Sequence, residues 1–308
     1  MSKKKVKKKN AGPPQALVRL SQVMIVKNEE KNIEKALSWA KKVAFEQIVV
    51  DTGSTDRTIE TAERMGAKVI HFDWVNDFSA AKNFAIEQAS GNWIAFLDAD
   101  EYFSELDAKK LIIFLKRIMS DSQMKANFHV LNCALVNIDD EGKTMSIQDQ
   151  ERVFRNLPSV RYMGRVHERL AIDKTNIVEV DEIRIIHTGY SERSLNEKGK
   201  AARNVEILRA DLAEKTNDLN IKSYLADSLK MSENPKDQIE ADILFKEVID
   251  GGKDVIPDLL KKAYLHYIKK AIDDPDKKNE CMELCKKACE AVPGDLDLNN
   301  IYTQVRGS

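Results

Sequence analysis

The chain has 308 residues, enough for one large domain or for a medium domain with a helical appendage. Hydrophobic residues at 43% and charged residues at 32%, with few Gly and Pro, exclude a disordered or fibrous chain. A formal net charge of -1 gives no global field to attract nucleic acid, so any site for a polyanion must be local.

Lys3, Lys4, Lys5, Lys7, Lys8 and Lys9, followed by Asn10, Gly12, Pro13 and Pro14, have the composition of a flexible basic tail over 1–16. It reads either as a solvated tail or as a weak contact for anionic lipid, worth about 1 kcal/mol per basic residue near a surface. No apolar segment follows it to make a secretory signal, and no run of about 18 apolar residues occurs. The expected location is cytoplasmic.

From Leu17 to Ala99, short apolar runs alternate with amphipathic windows, the pattern of strands and crossover helices in a mainly parallel sheet. Strands are predicted at Gln22–Val26, Gln47–Val50, Lys68–His71 and Trp93–Leu97, with helices over Glu29–Val43, from the Thr52–Asp56 turn through Met65, and over Ser79–Ala89. Ser54 or Thr55 is the expected N-cap of the second helix. The fourth strand is apolar on both faces, as a central parallel strand should be, and stops at Asp98, Ala99, Asp100 and Glu101. A helix over Asp107–Met119 and strands at Asn127–Ile138, Glu151–Arg155 and Ile183–His187 follow, with a hairpin turn at Asp139–Gly142. From about Ser194 the spacing is helical only, in windows Leu195–Lys215, Ile221–Ser232, Gln238–Asp250, Pro257–Ala271 and Lys277–Val292, which suggests a short helical-repeat array. Cys281, Cys285 and Cys289 fall on one helix face; with Cys133 they read as small buried hydrophobes rather than zinc ligands.

Carboxylates at the end of a buried parallel strand lie at the edge where open α/β sheets bind ligands. Asp98 and Asp100 repel each other unless a cation sits between them, so the pair suits Mg2+ or Mn2+, which would offset charge building on a departing diphosphate. Alone, an Asp-x-Asp pair is equally a structural cap. Asp51 at the end of the second strand, and Asn28 and Glu29 after the first, reach the same edge and shift the balance towards a nucleotide site. Asp51 would accept a base imino hydrogen.

The blocks Val26–Glu30, Val49–Thr58, Asp77–Asn83 and Phe96–Glu101 together resemble the family 2 inverting glycosyltransferases. The resemblance implies a GT-A fold, an α/β mixed sheet flanked by helices, over 17–192, and an all-helical TPR-like region over 193–308. It implies a UDP-sugar donor and Mn2+ or Mg2+, with Val26, Asn28, Glu29 and Asp51 around the nucleoside, and Lys82, Asp98, Ala99 and Asp100 around the diphosphate and metal. Lys82 stands where the family more often has arginine, keeping the charge and losing the bidentate fork. Downstream, Arg152–Arg155, Gly164–Glu168 and His187–Tyr190 resemble the branch that carries C-terminal helical repeats and includes bacterial peptide S-glycosyltransferases. A metal role for His187 beside Asp98 and Asp100 follows from that resemblance.

Inversion requires a base on the acceptor, and Glu168 is the first candidate; His167 is its rival or an acceptor-orienting group. Arg152, Arg155 and Arg165 are candidates to neutralise the diphosphate or to pair with carboxylates. The expected acceptor is a peptide or protein side chain or a glycan, with no nucleic acid partner, and a homodimer through the helices is an open option. The competing readings are an Asp-x-Asp phosphotransferase or phosphatase, and a nonenzymatic helical-repeat protein.

Overall fold

A computed structural model describes residues 17–188 and 190–307, the side chains of 190–198 excepted. The basic tail and Gly189 of the His187–Tyr190 block lie outside the described residues. The chain divides into two compact units, one running to residue 164 and including 168–193, the other made of 165–167 and 194–308.

The first unit is built on one eight-stranded sheet. Its first half comprises β1 (Leu20–Val26), β2 (Glu46–Asp51), β3 (Lys68–His71) and β4 (Trp93–Phe96), all parallel, in the order β3-β2-β1-β4. Helices α1 (Ile33–Ser38), α2 (Thr58–Arg64) and α3 (Phe78–Glu87) make the crossovers. All four residues of β4 are buried, as expected of a strand covered on both faces. Two polar side chains are buried in β1: Ser21 donates to Glu46 at 2.6 Å, and Gln22 donates to the Ala36 carbonyl at 2.6 Å. Burial without partners would be costly; here it ties β1 to β2 and α1.

After β4 come β5 (Glu101–Phe103), α4 (Glu105–Ser120), α5 (Ser122–Asn127), β6 (Val130–Ile138) and β7 (Thr144–Arg155). The short β8 (Tyr162–Met163) and β9 (Arg169–Leu170) form a separate two-stranded sheet, and β10 (Ile177–His187) closes the series. The main sheet continues from β4 as β7-β6-β10-β5, with β7 antiparallel to β4 and β6, and β5 antiparallel to β10. The sheet is therefore mixed, in agreement with the sequence. One core lies against α4 through Leu111, Leu115 and Ile118; another packs Ala85 and Ile86 of α3 with Phe96, Phe154 and Tyr162.

The second unit contains most of α6 (Tyr190–Glu214), then α7 (Leu219–Leu229), α8 (Pro235–Gly251), α9 (Pro257–Ala271), α10 (Lys278–Ala291) and α11 (Leu296–Gly307). From α7 onward each helix packs on the next, the nearest-neighbour arrangement of helical repeats. Cys281 and Cys285 are buried and Cys289 half-buried, in keeping with their reading as small hydrophobes.

Differences from expectation are local. The first helix begins four residues later than the apolar spacing suggested, because the Glu29 carbonyl accepts from Asn32 and Ile33 and spends 29–32 in a turn. Neither Ser54 nor Thr55 caps α2. The preceding residue is Arg57, without a side-chain cap, and Ser54 and Thr55 bond to Asn28 instead. Strands β5, β8 and β9 and helices α5 and α11 were not foreseen.

Gly91, just before β4, donates to the Ser21 hydroxyl at 3.0 Å and to Glu46 at 3.1 Å. A Cβ there would press on Ser21 Oγ and lie 2.6 Å from the Arg19 carbonyl oxygen. Gly91→Ala is expected to lose about 1–3 kcal/mol through this overpacking, measurable as a lowered urea midpoint with an unchanged slope.

Candidate active site

Two loops at the carboxyl ends of β1 and β2 are knitted into one surface. Asn28, in the left-handed region at φ 58°, donates its N–H to Ser54 Oγ at 2.9 Å and accepts from the Thr55 N–H at 2.8 Å. The Glu29 N–H donates to Thr58 Oγ1 at 2.7 Å, and the Val26 carbonyl accepts from the Thr52 N–H at 2.9 Å. Asp51 is buried and accepts from the N–H groups of Gly53 and Ser54, at 3.0 and 3.1 Å, with His71 Nδ1 at 3.7 Å. A carboxylate offers about four acceptor positions, so these bonds fix Asp51 without exhausting it. Val26, Asn28, Glu29 and Asp51 thus share one edge.

The next parallel strand ends in charge. Asp98–Glu101 forms a tight turn in which the Glu101 N–H donates to the Asp98 carbonyl at 3.0 Å, and the Asp98 N–H donates to the Glu101 carboxylate at 3.1 Å. Arg152 donates to Glu101 at 2.6 Å and to Asp98 at 3.0 Å. It reaches them from a bulge: Val153 opposes Leu131 and Glu151 opposes Asn132, so Arg152 is the extra residue of β7. Bulges re-aim side chains in this way. Burial pushes the Glu101 carboxyl above its ordinary value while Arg152 pulls it back.

On the other side of Asp98 stands Lys82 of α3. Its ammonium is 2.6 Å from Glu168 and 3.9 Å from Asp98, above the rings of Tyr162 and Phe96. Burial opposes its charge, but Asp98 and Glu168 outweigh burial and raise the lysine pKa above 10.5. The lysine is therefore charged at neutral pH and loses its proton only as pH rises through that elevated value. Glu168, Lys82, Asp98, Arg152 and Glu101 form one row of alternating charge. The Tyr162 hydroxyl is buried in this row without a hydrogen-bond partner among the described residues, and burial moves it up to about 12.

Asp100 turns elsewhere. Its carbonyl accepts from the Thr188 N–H at 3.0 Å, and its carboxylate lies 3.1 Å from His187 Nε2. The opposite nitrogen, Nδ1, is 2.6 Å from Asn137 Oδ1, and Asn137 Nδ2 donates to Ser146 Oγ at 2.8 Å. Strand register explains the row, since His187 pairs with Asn137 and Asn137 with Ser146. The short β5 completes it by pairing Glu101 with His187.

Asp100 and His187 are therefore brought together, and Ala99 is buried between the two aspartates, while Asp98 faces the two cations. Among the described residues, three acidic or ligating side chains whose donor atoms all lie within 4.8 Å occur at Asp149, Glu179 and Asp181, an exposed group sharing no residue with this site. Carboxylate oxygens with an imidazole nitrogen suit Mn2+, and a ligand histidine usually has its far nitrogen held by a hydrogen-bonding partner. The donor set at Asp100 and His187 fits a divalent cation.

The adjacent candidates His167 and Glu168 part company. His167, at φ 55°, groups with the second unit, where its ring stacks on Tyr224 with centroids 4.4 Å apart. In that unit Arg165 donates to Glu214 at 2.6 Å. Arg155 donates to the Lys125 carbonyl at 2.8 Å, so of the three arginines it is Arg152 that joins the aspartates. Sequence reasoning gave no role to Glu101 or Asn137; their signals, a third carboxylate after Asp-x-Asp and one of two amides in an apolar strand, are weak by themselves.

Fold and site define an open α/β domain whose carboxyl edge carries two mutually hydrogen-bonded loops and an acidic cluster, the edge at which such sheets bind ligands. The model of the family described as Glycosyl transferase family 2 matches residues 21–124. A TPR repeat-containing protein of Synechococcus elongatus is 31% identical over 229 residues, which is 68% of this chain and 52% of the relative. The glycosyltransferase SunS of Bacillus subtilis is 30% identical over 188 residues, 60% of this chain and 43% of SunS. The chain thus spans about half the length of these relatives. The solved structure of S. aureus TarS 1-349 in complex with UDP-GlcNAc aligns over 94% of this chain and 92% of that one, with 14% identity and a TM-score of 0.49. The phosphotransferase and nonenzymatic readings are not favoured by the family match.

Arg152→Ala would leave Glu101 buried and unpaired. It is expected to destabilise the protein by about 3–5 kcal/mol, whereas Arg152→Met combined with Glu101→Met should recover most of that loss in thermal unfolding.

Proposed function

We propose that the protein is an inverting glycosyltransferase that moves a hexose or N-acetylhexosamine from a UDP-sugar to a peptide or protein side chain or a glycan. The observation that carries this reading is the arrangement at the end of β4, within a family 2 domain: Asp100 facing His187, and Asp98 beside two buried cations. Residues 17–192 are assigned the transfer chemistry and 193–308 a TPR-like region, with UDP held by Val26, Asn28, Glu29 and Asp51.

Asp100 and His187, with Asp98 nearby, would hold Mn2+ or Mg2+, which supplies charge stabilisation for the departing diphosphate. Lys82 and Arg152 add fixed positive charge beside Asp98, in a buried setting where such charges act strongly. Glu168 takes the proton from the acceptor hydroxyl or thiol. The freed electron pair forms the new bond to the anomeric carbon, and the bond from that carbon to the diphosphate oxygen breaks with its electrons leaving on UDP. Attack from the opposite face inverts the anomeric centre. Lys82, at 2.6 Å, holds Glu168 in place. The stacking of His167 on Tyr224 favours Glu168 as the base and His167 as an orienting group.

Mn2+-dependent binding of UDP-sugars, followed by thermal shift across a donor panel, tests the reading: the melting temperature should rise only with donor and metal together. Asp100→Ala should abolish that rise, and an undiminished rise would reject the metal assignment. Glu168→Gln is expected to lower turnover about 10²–10⁴-fold with the donor-induced shift retained. Equal loss of both would make Glu168 structural.

A further inference from the structure

Helix α4 is apolar on two opposite sides. Its inner side buries Ala108, Leu111, Leu115 and Ile118 in the core, and Ser104 caps its first turn by accepting from the Asp107 N–H at 3.0 Å. Its outer side carries two large apolar side chains in the open, Leu106 at 63% and Ile113 at 69% exposure. Seven residues apart, they stand within about 20° of one line along the helix. Helical spacing fixes what flanks that line: Lys109 and Lys116 on one side, Lys110 and Arg117 on the other. The two carboxylates of α4 are confined to its first turn and are already paired. Glu105 has Lys109 at 3.0 Å and Lys42 at 4.0 Å, and Asp107 has Lys110 at 3.4 Å. Lys116 and Arg117 are exposed and form no ion pair among the described residues. Beyond its first turn the outer face is therefore an apolar ridge between basic flanks.

Single exposed apolar residues are ordinary on a soluble protein, and these two would carry nothing alone. Their cationic flanks select the partner, which must accept apolar side chains and present negative charge. Lys109 and Lys116 are compact charges on flexible stems, suited to a laterally mobile layer of charge more than to one fixed carboxylate. A second basic element is attached to the same face of the sheet: Val18 packs on the core beneath α4, and the lysines of residues 3–9 precede it in sequence. No helix among the described residues is long and apolar enough to cross a membrane, so contact here is peripheral.

We propose that the outer face of α4 docks on an anionic lipid bilayer, with Leu106 and Ile113 entering the headgroup–acyl boundary and Lys109, Lys116 and Arg117 meeting anionic headgroups. The ridge runs along the helix, so α4 lies in the plane of the surface. The tail contributes diffuse attraction, whereas α4, packed on the core by its inner side, fixes orientation. That orientation carries through to the acidic turn, because only the three-residue β5 stands between Asp100 and the Ser104 cap apart from Glu101, its first residue. The assignment is independent of the chemistry proposed above.

Flotation of the full chain with vesicles tests it, using equimolar phosphatidylcholine and phosphatidylserine against phosphatidylcholine alone. The wild type is expected to float with the mixed vesicles only, and less as salt rises. Leu106→Ser combined with Ile113→Ser should weaken binding about 10–100-fold. Ile113→Trp should strengthen it, since an indole suits the membrane interface. Lys116→Glu combined with Arg117→Glu should abolish binding. Removing residues 2–16 should lower affinity while keeping the further loss caused by Leu106→Ser with Ile113→Ser. Thermal unfolding unchanged in the substituted chains, as expected of exposed positions, separates lost docking from lost folding. A wild type that ignores mixed vesicles, binds neutral ones equally, or binds through the tail with no dependence on Leu106 and Ile113 overturns the proposal. Retention on immobilised polyglutamate without vesicle binding also overturns it, and makes the face a site for an acidic protein.

Discussion

The structure of the site depends on how carboxylates are kept ionised at the end of a buried strand. Glu101 is almost fully buried and Lys82 nearly so, and ions in such places persist only when each has a partner of opposite sign. The alternating row from Glu168 through Lys82, Asp98 and Arg152 to Glu101 meets that requirement with three negative and two positive charges. Asp98 stands in the middle of the row and is shared by both cations. Asp100, one residue further along, is left out of it and turns to His187. Two aspartates that the sequence presents as a pair therefore have different electrostatic partners.

The scaffold serves this division. Parallel strands β1, β2 and β4 bring loops to one edge by their common direction, which is a property of the crossover topology rather than of any single residue. The antiparallel half supplies the partners. Its register places Ser146, Asn137 and His187 side by side, and a one-residue slip would send all three side chains to the opposite face. The bulge at Arg152 performs the reverse operation, breaking register once so that one arginine points at the acidic turn while Val153 and Phe154 remain in the core.

Features governed by local period were legible in the sequence. The apolar Trp93–Leu97 run, the polar blocks after β1 and β2 and the helical spacing of Pro257–Ala271 are written in consecutive residues, and the structure places them close to where that spacing implies. Features governed by pairing between distant segments were not. Strand β5 is three residues long and follows an acidic turn, so it has no period to detect; it exists because β10 offers an edge. Asn137 looks like an interruption in an apolar strand until His187 and Ser146 are beside it. His167 and Glu168 are neighbours in sequence, yet the left-handed backbone at His167 redirects the chain and assigns their side chains to different surroundings.

Lys82 shows why residue identity matters beyond charge. An arginine fork at this position would favour two parallel bonds to one planar partner, committing the cation to a single carboxylate or phosphate. Lysine is a compact charge with three rotatable donors, and here it bonds Glu168 at 2.6 Å while standing 3.9 Å from Asp98 and over two aromatic faces. The rings shield the ammonium from water without taking its donors, so the bond to Glu168 leaves two N–H groups directed by the surrounding field. Asp98 provides that field on one side. The ammonium thus links Glu168 with the acidic turn at the end of β4, and the position of each constrains the other.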